Sequence, residues 1–382
     1  MTVIDLEGSR YDRQERIWWW DQKRLTDSHV LVVGAGALGN EIVKNLALVG
    51  VGSIDVVDMD IIENSNLARC ALFRDCDRGQ PKAAVLARAA SEINPNVRIR
   101  SFVCPVQQLG SAWIKQYDLV IAGLDNREAR LWVNAMTRKL GMHWIDGAIE
   151  GLQGVARVFG PTGPCYECTL GEIDRELLAH RRSCALLSPE EIAGGRTPTN
   201  ATTAAIVGGL EVQEAIKYLV GREDLLALTG AAWRMEGETM LTSVMRYTED
   251  PDCLAHDLVD QWIDLNVTPE SLRSLYNDVN TTDNRIHAFY FSDDLIQIMP
   301  CQSCGSGEQV IGLRPVLPSG IGRCATCGTD RPMSAQSAIG IDDILMDIPF
   351  TEWLLPYSEA IGIASEQGFR HYALKIAESM GE

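Results

Sequence analysis

At 382 residues with 46% apolar side chains, the chain exceeds one ordinary core and predicts two or three domains with enough apolar content to fill them. Its 52 acidic against 34 basic residues leave a net charge of −18, which argues against nucleic acid and acidic membrane as partners. The opening "MTVIDLEGSRYDRQER" has acids and no apolar leader core, and no stretch without charge is long enough to span a bilayer. A cytoplasmic protein is expected, in which the eleven cysteines read as thiols and metal ligands rather than disulfides.

"SHVLVVGAGALGNEIVKNLALVGVGSIDVVDMD" opens the folded pattern. A β-rich run at 29–33 enters Gly34-x-Gly36-x-x-Gly39, a helix runs to about Val49, and a second strand ends in Asp58 and Asp60. This is a βαβ unit, so the sheet is parallel at its start. Further strands are predicted at 97–102, 118–122 and 143–145, with helices at 82–93 and 126–140 between them. Past residue 150, "LQGVARVFG" and "MLTSVMRY" alternate as antiparallel strands do, with an amphipathic helix at 204–219 between them. The expected fold class is therefore α/β, a doubly wound mixed sheet of Rossmann type with a zinc site.

The domain built on this sheet is expected over 1–257. Within it, 170–202 lacks periodicity and reads as a long crossover loop of the kind that often carries function. From 258 to 382 the pattern changes to scattered short strands, two C-x-x-C turns and an amphipathic close. This is read as a separate C-terminal module, with a zinc ribbon at 301–327 and a tail, "IDDILMDIPFTEWLLPY" followed by "FRHYAL", that reads either as a partner-docking element or as packing.

The glycine turn is phosphate chemistry in outline. G-x-G-x-x-G between strand and helix brings backbone N–H groups at a positive helix end up to phosphates, and an acid about twenty residues on, here Asp58, accepts ribose hydroxyls. Alone it suggests an NAD-dependent oxidoreductase. Asn66, Arg69 and Lys82 follow within one short stretch, however, and Asp125 in "AGLDN" ends a parallel strand, where such sheets bind ligands. Hydride transfer has no use for this set. Displacement at a phosphoryl group does, because cations and a carboxylate-held Mg2+ neutralise the developing charge.

"RYDRQ" at 10–14, "GAGALG", "DMD", "NLAR", "GQPKA" and "LDN", in that order, resemble the adenylating domain of ubiquitin-activating enzymes and of the bacterial adenylyltransferases of thiamine and molybdopterin synthesis. The resemblance covers about residues 10–256. It implies that Asp58 holds the ribose, Arg69 and Lys82 contact the phosphates, and Asp125 takes Mg2+. Asp60, Asn66 and Asn126 complete the nucleotide-binding set beside Gly34, Gly36 and Gly39. Arg13 is implied to reach into the ATP site of the second subunit of a homodimer. Cys70 departs from the family's usual Gln, and the run Trp18 to Trp20 is read as dimer or core packing.

"CYEC" supplies Cys165 and Cys168, two of the four ligands that a tetrahedral zinc needs. In the family a second C-x-x-C follows the last strand; here "PDCLAH" offers Cys253 and His256 at the same spacing. Cys301 and Cys304, or Cys324 and Cys327, compete for that role. Those two pairs lie nineteen residues apart, a ribbon spacing that makes them self-sufficient. Two closed, structural Zn2+ sites are expected. Of the remaining thiols, Cys104 reads as a buried apolar side chain, and Cys70 and Cys76 have no evident role. Cys184 in "HRRSC" has His180, Arg181 and Arg182 to favour its thiolate, and the resemblance places a reactive Cys in this crossover.

The expected function is ATP-dependent adenylation of the C-terminal glycine carboxylate of a small ubiquitin-like or sulfur-carrier protein of β-grasp fold, followed by thioester formation on Cys184. A downstream conjugating or sulfur-transfer enzyme is a further expected partner. The alternatives are adenylation of a peptide or other small substrate without thioester transfer, action on a transfer RNA base, an oxidoreductase, and a non-enzymatic scaffold. No cysteine follows Cys327, which counts against a built-in sulfur donor.

Overall fold

The run His29–Val33 forms β1, four of whose five residues are buried. A strand apolar at successive positions must be covered on both faces, and β1 lies inside an eight-stranded sheet. The computed structural model describes residues 8–171, 198–256, 262–265, 269–280 and 284–375. In chain order the first unit runs α1 (Gln22–Asp27), β1, α2 (Ala37–Val49), β2 (Ser53–Val57), α3 (Lys82–Ile93) and β3 (Arg98–Phe102). After the short helix α4 (Ser111–Ile114), which belongs to the second unit, come β4 (Leu119–Ala122), α5 (Arg127–Lys139), β5 (Trp144–Glu150) and β6 (Gln153–Phe159). Past the crossover stand α6 (Ala201–Leu219), β7 (Ala231–Glu236) and β8 (Leu241–Arg246).

The sheet order is β3-β2-β1-β4-β5-β6-β7-β8. Pairing is parallel from β3 through β5 and antiparallel beyond. The mixed sheet is as expected, and the predicted helix at 82–93 coincides with α3. The sequence reading lacked β7, whose first residues Ala231 and Ala232 carry little strand propensity and are held there by burial. The chain order reverses between β1 and β4, which opens a crevice at their carboxyl ends, where ligands of such sheets sit. Gly123 N, just after β4, donates to Val33 O at 2.9 Å, and a Cβ on Gly34 would lie 2.7 Å from the Gly123 carbonyl oxygen. Glycine at both positions lets the two loops touch.

The second unit holds β9 (Trp262–Asp264), α7 (Leu272–Val279), β10 (Ile286–Ile298), β11 (Val310–Leu313), β12 (Met333–Gly340), β13 (Trp353–Leu354), β14 (Ser358–Ser365) and β15 (Gly368–Lys375). They form one seven-stranded sheet, β13-β11-β10-β14-β15-β9 with β12 also on β10. This corrects the expectation of scattered short strands. The thirteen-residue β10 is masked in sequence by the polar "SDD" at 292–294, where its register with β12 shifts. Of the tail segments, Leu345, Met346, Phe350 and Trp353 are buried in this unit's own core, as the packing reading expects, whereas Ile344, Leu354 and Phe369 are exposed. Residues 107–115, carrying α4, also pack here, with Ser111 Oγ donating to Glu359 Oε1 at 2.8 Å. Among the described residues no helix is long and apolar enough to cross a membrane.

Candidate active site

The three glycines of the turn act differently. Gly34 has φ +98°, a conformation that L side chains rarely adopt. A Cβ on Gly39 would overlap the Gly34 carbonyl, whereas one on Gly36 meets nothing within 4 Å. Gly36 is also the N-cap of the thirteen-residue α2, with no side chain capping it. The helix start thus has no side-chain cap and has open space beside Gly36 at its positive end, a fit for phosphate. Ala35 N donates to Asp58 Oδ2 at 2.7 Å and Asp60 N to Asp58 Oδ1 at 2.8 Å, which fixes the Asp58 carboxylate. Burial raises the Asp58 pKa, outweighing those bonds and the nearby Lys82.

Sequence reasoning missed Asn40. Fully buried on α2, it donates to Ala35 O and Gly36 O at 3.0 Å each and accepts from Leu72 N at 3.0 Å, tying the glycine turn to the segment after Arg69. The available signal was an amide one turn into a helix where the pattern calls for an apolar residue.

Lys82, first residue of α3, places Nζ 2.7 Å from Asp60 Oδ2. Burial disfavours its charge, yet the hydrogen bond to Asp60 and the fields of Asp58, Asp60 and Asp125 outweigh this and raise its pKa. The structure therefore brings Asp58, Asp60, Lys82 and Asp125 together. Asp125 is exposed just past β4, and oxygen donors of this kind suit Mg2+. Asn126 caps α5, its Oδ1 accepting from Ala129 N at 2.7 Å. The Asn66 side chain is buried in its own turn, with Oδ1 accepting from Glu63 N at 2.8 Å. Arg69 is half-buried and donates to Ser65 O at 2.8 Å. Both Asn66 and Asn126 thus have their side-chain oxygen engaged locally.

In "RYDRQ", Tyr11 accepts from Asn94 Nδ2 at 2.8 Å and covers Gly50, while Gln14 donates to Val49 O at 3.1 Å. This anchorage leaves Arg13 exposed. Of the tryptophans, Trp19 and Trp20 pack on the core, but Trp18 is 79% exposed with the Arg222 guanidinium 4.6 Å from its ring centre, so core packing does not extend to it. Burial pushes the Cys70 and Cys104 thiols up to about 11 each, which disfavours the thiolate in both. Cys184 and its flank, His180, Arg181 and Arg182, lie outside the described residues.

The cysteine question is settled by proximity. Cys165, Cys168, Cys253 and His256 form one set and Cys301, Cys304, Cys324 and Cys327 another, the ligand atoms of each lying within 4.8 Å of one another. A tetrahedral zinc with sulfurs at about 2.3 Å implies sulfur–sulfur distances of roughly 3.8 Å. Cys165 Sγ is 3.7 Å from both Cys168 Sγ and Cys253 Sγ, and the second set has 3.5 Å for Cys301–Cys327 and 3.6 Å for Cys304–Cys324. His256 turns Nε2 toward Cys168 Sγ at 3.2 Å and Nδ1 toward Glu249 Oε1 at 3.4 Å, a carboxylate–imidazole pair of the sort that orients metal ligands. Burial and then the nearby Arg138 lower the His256 pKa, keeping the imidazole neutral. Burial foremost pushes Cys253 up to about 12, a penalty that a bound cation reverses.

An uncapped helix start at the Gly36 turn and a lysine held among carboxylates define a class: a nucleotide-binding α/β domain equipped for reaction at phosphate rather than hydride transfer. The chain belongs to the ThiF family, whose profile matches residues 11–255. It is 32% identical over 264 residues to a SAMP-activating enzyme E1 of Haloferax volcanii, across 66% of this chain and 90% of that one. To a sulfur carrier protein adenylyltransferase of Thermus thermophilus it is 34% identical over 231 residues, 56% of this chain and 79% of the relative. A NEDD8-activating enzyme E1 catalytic subunit of Dictyostelium discoideum is 41% identical over 158 residues, and there the chain covers 38% of its own length and 36% of the relative's. Among solved structures, E. coli MccB with ATP shares the fold, at a TM-score of 0.55 and 20% identity over 66% of this chain and 75% of that one.

Proposed function

We propose that the protein activates a small ubiquitin-like or sulfur-carrier protein by adenylating its C-terminal glycine. The observation that carries this reading is the convergence of Lys82 with Asp58, Asp60 and Asp125 beside the open Gly36 turn. The helix end and Gly36 receive ATP phosphates, Asp58 the ribose, and Lys82 and Arg69 the charge that grows as the carrier carboxylate oxygen bonds to the α-phosphorus. That bond forms as the bond to the β-phosphoryl oxygen breaks, and pyrophosphate leaves. Mg2+, held by Asp125, would supply further neutralisation of the departing oxygens. Asp60 keeps Lys82 charged and aimed.

The acyl-adenylate then passes its acyl group to the Cys184 sulfur, releasing AMP. Arg13 completes the site of the second subunit of a homodimer, and the two cysteine-rich sets hold structural Zn2+. A conjugating or sulfur-transfer enzyme receives the product, in the cytoplasm, with no nucleic acid or membrane involved.

The test is carrier-dependent exchange of labelled pyrophosphate into ATP, using small β-grasp proteins ending in Gly from the same genome. Wild type should exchange and Asp125→Ala should not. Cys184→Ala should exchange normally while losing the carrier adduct that survives denaturant and is released by thiol. Exchange with no such carrier would overturn the adenylation reading, and an adduct persisting in Cys184→Ala would overturn the thioester step.

A further inference from the structure

Behind the Asp125 loop lies a buried ion cluster that the proposed reaction does not use. Arg130, on α5, is 7% exposed, and its guanidinium has three partners, two within β5 and one just past β4. Nε donates to Asp146 Oδ1 at 2.7 Å, and one terminal nitrogen donates to Leu124 O at 2.6 Å and to Gly147 O at 3.0 Å. Asp146, fully buried on β5, faces Arg157 of β6 with its other oxygen at 3.1 Å. The Arg157 guanidinium in turn lies 5.4 Å from the ring centre of Tyr166, which stands between Cys165 and Cys168.

We infer that Arg130 is a positioning residue for Asp125, fixing the peptide that precedes it and so the direction in which its carboxylate is presented to Mg-ATP. This rests on the reading of Asp125 given above. Leu124 is one peptide from Asp125, so a cation that holds the Leu124 carbonyl sets the plane from which Asp125 departs. Helix α5 does not need Arg130 for its start, because Asn126 already caps it. A fork bonding two backbone carbonyls and a carboxylate at once has a geometry that Lys cannot reproduce. The Asp146–Arg157 pair holds the fork from behind, since a buried guanidinium without its carboxylate would be costly.

The experiment measures ATP binding to the full chain by calorimetry across a Mg2+ titration, with circular dichroism and melting as checks on folding. Outer partners of metal ligands typically alter metal affinity by about 10- to 100-fold, so Arg130→Lys should raise half-saturating Mg2+ by roughly that factor while the melting temperature changes little. Asp125→Asn should raise it as well, and Arg130→Lys/Asp125→Asn should be no worse than Asp125→Asn alone. An unchanged Mg2+ dependence in Arg130→Lys, or a loss that adds in full to that of Asp125→Asn, would overturn the inference and leave the Asp125 assignment standing. No effect of Asp125→Asn would overturn both. Failure of both Arg130→Lys and Arg130→Gln to fold would also overturn it, assigning Arg130 to general core support.

Discussion

One methyl group separates two roles within the glycine turn. At Gly39 a Cβ would overlap the Gly34 carbonyl, so Gly39→Ala must push β1 and α2 apart. Core overpacking of that kind costs about 1–3 kcal/mol, and the melting temperature should fall accordingly. At Gly36 the same methyl meets no protein atom within 4 Å and projects where phosphate is proposed to lie. Gly36→Ala should therefore melt as wild type does and bind ATP about tenfold or more weakly, as titration would show. Equal melting losses in both variants would remove the distinction. All three glycines were legible in the spacing, but the difference between Gly36 and Gly39 depends on which atoms surround them.

At the scale of elements, two joints carry predictions. The first is the C-x-x-H turn after β8. His256→Cys keeps a soft ligand and should retain two zinc ions per chain by elemental analysis, whereas His256→Ala should lose one and melt lower, because metal binding is coupled to folding. Two ions retained by His256→Ala would show that His256 is not a ligand. The second joint is α4, whose Ser111 meets the fully buried Glu359 of β14.

Burial raises the Glu359 pKa to about 7, above the ordinary 4.5, so the folded chain binds this proton more tightly than the unfolded one. Its contribution to stability is complete below about pH 4.5 and is lost as pH rises through about 7. Glu359→Gln should accordingly gain on wild type between about pH 5 and pH 8, by up to about 3 kcal/mol. Thermal melting across that range checks it, and a constant difference between the two proteins would refute the burial argument. Neither partner could be paired from sequence, because 248 residues separate Ser111 from Glu359.

For the whole molecule, the proposal of a homodimer puts Arg13 of one subunit at the active site of the other. Tyr11 and Gln14 anchor "RYDRQ" while leaving Arg13 exposed, as a residue acting outside its own subunit would be. Arg13→Ala and Asp125→Ala should each lack exchange as pure proteins. Mixing them should restore about a quarter of wild-type exchange at equal amounts, since half of the dimers are mixed and each has one intact site. No recovery after verified subunit exchange would place Arg13 elsewhere.

The sequence by itself determined the first unit's sheet order of events, strand, glycine turn, helix, strand, because period and turn chemistry are local properties. It also determined the ordered set from "RYDRQ" to "LDN" and the four C-x-x-C or C-x-x-H turns, since ligand spacing within a turn is local as well. The tertiary structure alone decided what distant residues make of one another. It joined "CYEC" to Cys253 and His256 rather than to either ribbon pair, brought Arg130 onto the carbonyl before Asp125, and put Asn40 beneath the glycine turn. It also merged the short-looking strands after residue 258 into one sheet and buried Leu345, Met346, Phe350 and Trp353 in its core. A polar side chain's partners, and an apolar segment's burial, follow from which elements the chain folds together, and no local pattern carries that information.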